Sequence, residues 1–250
     1  MKVKSRIRQI IQGKKPPLER FFESVKNTPK KTGIKKTLTS NQIDYKAYAR
    51  FPSVWLPKPV KKHRPLQDTL FNLSSTRTFS KKKLSIRTLS TLLYYSLGIR
   101  NASEKDPNSL RRFYPSAGGK YPIEAYVLAQ SVSGLHKGAY HYYVREHLLE
   151  LVEDELPLNL QKYFTEEFLL DAPVVIVLTS IFVRTTVKYG IRGYNLALLE
   201  AGHVGQNIYL NSSDLQLSVC AAGGFYEDAL SKLLNIETKI ETPIYVFGLG

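Results

Sequence analysis

Arg112-Phe113-Tyr114-Pro115-Ser116-Ala117-Gly118-Gly119-Lys120-Tyr121-Pro122 joins a polar loop to the apolar run Ala125-Tyr126-Val127-Leu128-Ala129. Prolines at 115 and 122 fix φ on either side, so the loop can hold one shape before a ligand arrives. Between them Ser116, Ala117, Gly118 and Gly119 carry almost no bulk. A backbone of this kind can come within hydrogen-bonding distance of a flat molecule.

Outward from this loop, strand and helix periods intermix. Ile123 to Gln130, Gly138 to Val144 and Leu148 to Val152 read as strands, the last two as a hairpin. Ala172-Pro173-Val174-Val175-Ile176-Val177-Leu178-Thr179 is apolar without alternation, the pattern of a strand covered on both faces. Leu215 to Ala222 and Ile244 to Leu249 read as further strand-like core segments. Leu84 to Gly98 has a strong 3.6 period closed by a glycine, and Ser80 stands where it can cap the element that follows. Leu66, Leu70 and Leu73 form an i, i+4, i+7 stripe. Gln161 to Leu170 looks helical, and Tyr194 to Leu210 reads as a long helix burying Leu196, Leu199, Val204 and Ile208. With no βαβ rhythm, the fold class is α+β.

Charge divides the 250 residues unevenly. Residues 1–64 hold 18 Lys/Arg against 3 Asp/Glu, while residues 65–250 hold 18 of each sign, so the whole net charge of +15 lies in the first quarter. The expected division is a basic N-terminal extension, 1–64, and a folded domain, 65–250. Lys14-Lys15-Pro16-Pro17 and Pro29-Lys30-Lys31 break any long helix in the extension. That arm reads either as a solvated extension or as an attachment for an acidic partner, a nucleic acid or an anionic membrane. It has few aromatics among its charges and no zinc or helix-turn-helix pattern, so it is not a specific nucleic-acid reader. Trp55, in the proline-bracketed segment Phe51 to Pro59, is expected to dock on the domain.

Absences narrow the chemistry. The chain has no HExxH, no GxSxG, no Walker loop and no GxGxxG after a strand. Its five histidines, His63, His136, His141, His147 and His203, do not cluster, so no metal site is expected. His141 reads as a hydrogen-bonded core or interface residue rather than a metal ligand. The single cysteine, Cys220, excludes an internal disulfide and reads as a small buried hydrophobe. No apolar run reaches the roughly 18 residues of a membrane helix, and no apolar segment follows the basic N-terminus as in a signal peptide. The expected compartment is the reducing cytoplasm.

Four pieces, in order and spacing, resemble the SagB-type dehydrogenases, the thiazole- and oxazole-forming branch of the FMN-dependent nitroreductase superfamily. The first is Ser74-Ser75-Thr76-Arg77-Thr78-Phe79-Ser80, where Ser75 and Arg77 align with a serine and a basic residue that hold the FMN phosphate and ribityl chain. A guanidinium suits phosphate oxygens through charge-assisted, bidentate bonds. The family's leading arginines are Leu73 and Ser74 here. The second piece is the opening loop: Pro115, Ser116, Ala117, Gly118 and Gly119 match the family's flavin-lining PSAGG segment, and Lys120 adds a cation for phosphate. Lys188-Tyr189, before the long helix, resembles the Lys-Tyr motif of azoline-oxidising members, a base and its orienting partner. Last, Gly223-Gly224 matches a turn whose main-chain N–H lies near flavin N5, where it steadies charge on reduction. The family often carries a basic residue just past Gly248; the sequence has none there, and the resemblance then implies an FMN held either more weakly or by Lys120, Arg111 or Arg112 instead.

The resemblance implies a nitroreductase-like fold, a mainly antiparallel central sheet flanked by helices, and a homodimer with FMN at its interface. The implied activity is FMN-dependent dehydrogenation of peptide thiazolines or oxazolines to azoles in the maturation of ribosomal peptide natural products. The implied partners are a peptide substrate and a cyclodehydratase, which the N-terminal arm could meet. Two alternatives stay open. One is an NAD(P)H-dependent reductase of nitro, quinone or dehydroamino-acid substrates; the other is a flavin-free, non-catalytic subunit of a biosynthetic complex.

Overall fold

A computed structural model describes residues 20, 23–24, 26, 45–61, 64–103, 106–157 and 160–250. Most of the basic arm, His63 included, lies outside the described residues. In chain order the strands and helices are β1 (Ser53–Trp55), α1 (Leu66–Phe71), β2 (Leu84–Ser85), α2 (Ile86–Leu97), β3 (Ile99–Ser103), β4 (Asp106–Arg112), β5 (Ile123–Ala129), β6 (Val132–Ser133), β7 (Gly138–Tyr143), β8 (Leu148–Glu153), β9 (Val174–Ser180), α3 (Val183–Tyr189), α4 (Arg192–Leu215), β10 (Val219–Ala222), α5 (Glu227–Leu233) and β11 (Thr242–Leu249).

Among the described residues the main sheet has seven strands in the order β1-β8-β7-β5-β9-β11-β10. Every neighbouring pair in it is antiparallel. All seven residues of β5 and all seven of β9 are buried. They read as unbroken apolar runs because both faces are covered. On one face Ile123, Val127, Ile176 and Leu178 pack with Leu89, Leu92 and Leu93 of α2 and Val204 and Ile208 of α4. On the other, Tyr126, Leu128, Val175 and Val177 pack with Tyr163, Phe164, Leu169 and Leu230. The α+β, mainly antiparallel architecture expected from the sequence is the one observed.

Several local expectations are corrected. Helix α2 is capped by Ser85, whose Oγ accepts from the Thr88 N–H at 3.0 Å; Ser80 instead accepts from the Lys82 N–H. Leu66 and Leu70 are exposed, because α1 buries only Thr69. Residues 161–170 form two short 3-10 turns, not a helix, since Tyr163, Phe164 and Thr165 are tied to the Gly224–Tyr226 turn by main-chain bonds. In α4 the buried stripe is Gly193, Ala197, Glu200, Ala201, Val204 and Ile208; Leu199 faces outward.

The sheet also reaches into the segment set apart as an extension. Strand β1 pairs with β8, Ser53 opposite Glu150 and Trp55 opposite Leu148. Lys46 bonds the buried Glu241 carboxylate and the Tyr126 hydroxyl, both at 2.5 Å. Ser90 donates to the Pro57 carbonyl. A division at residue 64 therefore cuts through the sheet's edge. Trp55 does not dock: it is 66% exposed, while Leu56 beside it is buried. Among the described residues no helix is long and apolar enough to cross a membrane.

Candidate functional site

The loop from Tyr114 to Pro122 has a built shape. Ser116 accepts the Tyr121 N–H on its Oγ at 2.8 Å and the Gly119 N–H on its carbonyl at 3.1 Å. Gly118 and Gly119 lie at φ +62° and +65°, left-handed positions that glycine adopts without a steric penalty. Tyr121 is held at φ +45°, an uncommon value for a bulky residue. Its ring is buried, its hydroxyl accepts the Arg112 N–H at 3.2 Å, and the Arg112 guanidinium lies 5.0 Å from the ring centroid. Arg112 is itself buried and donates to the Tyr114 hydroxyl and the Ile123 carbonyl. It supports the loop from below, which removes it as an alternative phosphate ligand.

Lys188 and Tyr189 end α3, and Gly190 closes the helix at φ +57° with its N–H on the Thr186 carbonyl. Their heads meet the loop at one point. A Cβ placed on Gly118 would lie 2.7 Å from the Tyr189 hydroxyl and 2.9 Å from Lys188 Nζ. The bare backbone of Gly118 is therefore what admits both groups. Lys188 is exposed and Tyr189 half-buried.

Arg184, one turn earlier on α3, donates from Nη1 to the Tyr121 carbonyl at 2.9 Å and to Glu124 Oε1 at 2.5 Å. Glu124 Oε2 faces His141 Nε2 at 3.3 Å, and His141 Nδ1 faces Glu150 Oε2 at 2.7 Å. An ionised carboxylate only accepts, so a ring placed between carboxyl groups is favoured in the form that carries a hydrogen on both nitrogens. Burial works to raise the Glu124 carboxyl, yet the His141 bond and Arg184 overcome it and bring it down to about 2. Burial likewise works to lower His141, and the bonds to Glu124 and Glu150 outweigh it, for a net rise. Sequence reasoning anticipated a hydrogen-bonded core role for His141 but not this chain of charges behind α3.

Ser75, Arg77 and the Gly223-Gly224 turn form a second group. Tyr209 of α4 joins them: its hydroxyl is 2.9 Å from Ser75 Oγ and accepts the Ala221 N–H at 2.9 Å. Arg77 is exposed, 5.8 Å from the Phe168 ring centroid. Nothing lies within 4 Å of a Cβ placed on Gly223 or on Gly119, so both present open main chain. Open glycine backbone, exposed hydroxyls and a guanidinium are the donor set that a flat ring carrying a phosphate requires.

The two groups touch α4 at different points. Glu200 of α4 is buried under the Ser116–Ala117 end of the first, and Tyr209 touches the second. Nine residues of helix separate them, about 13 Å at 1.5 Å per residue. Pro115, Ser116, Ala117, Gly118, Gly119 and Lys120 thus stand with Lys188 and Tyr189, whereas Ser75 and Arg77 stand with Gly223 and Gly224.

A family model described as the nitroreductase family matches residues 74–250. MJ1384 of Methanocaldococcus jannaschii, named as a nitroreductase, is 31% identical over 187 residues, which cover 74% of this chain and 90% of that protein. The microcin B17-processing protein McbC of Escherichia coli is 31% identical over 206 residues, 75% of this chain and 74% of that one. Among solved structures, the Escherichia coli microcin synthetase McbBCD complex with truncated pro-MccB17 bound matches 79% of this chain and 77% of the compared chain, at 28% identity and a TM-score of 0.56. An Anabaena variabilis nitroreductase matches 93% of this chain at 25% identity and a TM-score of 0.77; this chain spans 46% of its length. The shared fold and the matched length agree, and the chain belongs to the nitroreductase family, whose cofactor is FMN.

Proposed function

We propose that this chain is an FMN-dependent dehydrogenase that oxidises thiazoline or oxazoline rings of a peptide to the aromatic azoles. The observation that carries this reading is the convergence of Lys188 Nζ and the Tyr189 hydroxyl on the bare backbone of Gly118. Aromatising an azoline removes two hydrogens from adjacent ring atoms, one as a proton and one with its electron pair. Bound FMN supplies the acceptor for the hydride, and molecular oxygen is the proposed terminal oxidant. The chain's own residues handle the proton: Lys188 and Tyr189, side by side at the mouth of the loop, act as base and orienting partner. The amides of Pro115–Gly119 and of Gly223-Gly224 line the ring, and Ser75, Arg77 and Lys120 hold the phosphate.

A homodimer is part of this proposal, and the placement of the two groups at different points along α4 supports it. One chain's glycine loop and Lys-Tyr pair would face the partner's Ser75, Arg77 and Gly223-Gly224. The surface beside Lys188 suits such a contact: Val183, Val187, Ile191, Tyr194, Leu198 and Leu199 are all exposed. A face this apolar marks an interaction site. Covering it would also desolvate Lys188. McbC, 31% identical, is a microcin-processing protein, and the related complex holds a truncated pro-peptide; both favour a peptide substrate and a multi-protein assembly here. A cyclodehydratase is the proposed partner and the basic arm its contact. The single, buried and unpaired Cys220 suits a reducing, cytoplasmic setting.

The test is mass spectrometry of an azoline-bearing peptide incubated with the protein, FMN and oxygen. A loss of two hydrogens per ring is expected. Lys188→Ala and Tyr189→Phe should each slow that loss by about a hundredfold or more, the usual scale of general acid–base catalysis. If both variants turned over like the parent while NAD(P)H drove reduction of a nitro compound or quinone, the chain would be a reductase. Failure to take up FMN at all would leave the flavin-free subunit.

A further inference from the structure

Glu200 is a buried carboxyl that the chemistry above does not use. It is 2% exposed, and neither carboxyl oxygen has a hydrogen-bond partner of ordinary geometry. It lies on the sheet-facing side of α4 and is directed at the start of the glycine loop, where the Ser116 hydroxyl and the Ala117 N–H bear on it. Both donors are at hand. Ser116 Oγ accepts from the Tyr121 N–H, which leaves its own hydrogen for Glu200. The Ala117 N–H takes no part in the two backbone bonds of the turn, Gly119 N–H to the Ser116 carbonyl and Lys120 N–H to the Ala117 carbonyl. The charged and titratable groups around Glu200 are Arg112 at the end of β4, Tyr114 at the entry to the loop and Arg184 on α3.

We propose that Glu200 is a positioning residue of the glycine loop: as a carboxylate it grips Ser116 and Ala117 and fixes Gly118 against the heads of Lys188 and Tyr189, and as a carboxylic acid it lets that end of the loop loosen. The role assigned to Lys188 and Tyr189 rests on the dehydrogenase reading; the grip on the loop does not. The geometry that requires it is local. Gly118 follows Ala117 directly, so a shift of the Ala117 amide moves the backbone on which the two heads converge. Within the turn the Tyr121 N–H to Ser116 Oγ bond is 2.8 Å and the two main-chain bonds are 3.1 and 3.4 Å; none of the three holds the Ala117 N–H. Burial pushes its carboxyl up to about 7, against the pull of the Ser116 hydroxyl, Arg112 and the Ala117 N–H, which puts the change of state within the range of the test below.

The test is amide hydrogen exchange of the segment 114–120 in the full-length protein, corrected for intrinsic rates, about one pH unit below and above 7. In the parent chain, protection should rise about tenfold from the lower to the higher pH, the factor one charge-assisted hydrogen bond corresponds to. Glu200→Gln should remove the step and hold the segment at the low-pH level at both values. Glu200→Asp, which keeps the charge, should retain a step. A parent protein whose loop protection is the same at both pH values overturns the proposal whether or not any variant folds, as does a Glu200→Gln protein that keeps the step. Exchange needs no substrate, so a failure to oxidise azolines would leave the result standing. An active azoline oxidase with a pH-insensitive loop would overturn this proposal alone.

Discussion

Gly118 shows how little room a single residue has at this site. A methyl group there would sit within 3 Å of both the Tyr189 hydroxyl and Lys188 Nζ. Those atoms are the ends of flexible side chains, so they can swing aside at small cost. The backbone term is also modest: a left-handed φ costs a residue with a Cβ about 1–2 kcal/mol. Gly118→Ala should therefore fold with a loss of about 1–2 kcal/mol in urea denaturation yet dehydrogenate azolines at a small fraction of the parent rate. Equal turnover in the two proteins would show that the meeting of the heads does not matter. The loop was legible in the sequence because Pro fixes φ and Gly frees it wherever they occur, so both speak without knowledge of the tertiary structure. Glu200 was not, because its place in the stripe between Ala197 and Val204 has meaning only once α4 is laid under the loop. The one hint was a carboxylate at a helical spacing otherwise filled by small and apolar residues.

At the scale of elements, α3 is short, and what fixes it is charge. Arg184, Glu124, His141 and Glu150 run from that helix through β5 and β7 to β8. Removing one member leaves a buried charge without its partner, which costs about 3–5 kcal/mol, so Glu124→Gln should lower the unfolding free energy by that order. The pH dependence has two signs. Glu124, depressed from 4.5 to about 2, contributes stability that is full above 4.5 and is lost as pH falls toward 2. His141, raised, contributes stability that is full below 6.5 and is lost as pH climbs through its folded value. Urea titrations of the parent and of Glu124→Gln across this range should differ most between pH 4.5 and 6.5; a constant difference at every pH would refute the ionic account. The strands β5 and β9 were readable because their apolar runs leave no other reading. Residues 161–170 were not, because the tie between Tyr163 and Tyr226 is a long-range bond that local spacing cannot report.

For the molecule as a whole, a charge tally suggested a boundary that the sheet does not respect. Lys46 neutralises the buried Glu241, the Tyr48 N–H reaches Glu150 Oε1 at 2.8 Å, and β1 covers the edge of β8. A chain beginning at residue 65 would strand two buried carboxylates and expose a strand edge. It should lose about 3–5 kcal/mol or fail to fold, whereas a chain beginning at residue 45 should melt close to the parent. Thermal unfolding of the two truncations decides it, and matching midpoints would make the strand dispensable. Composition concealed this because net charge averages over a segment, while a single lysine in it carries the structural role.

The distance along α4 between Glu200 and Tyr209 has a genetic consequence. If each flavin is clasped by the glycine loop of one protomer and the Ser75–Arg77 segment of the other, a lesion in either clasp spoils both sites of a uniform dimer. Two such defective genes, one encoding Lys188→Ala and the other Arg77→Ala, would then rescue each other when expressed together. Each hybrid would carry both lesions in one site and none in the other, and random pairing would restore roughly a quarter of the full complement. Lysates mixed without subunit exchange would stay inactive.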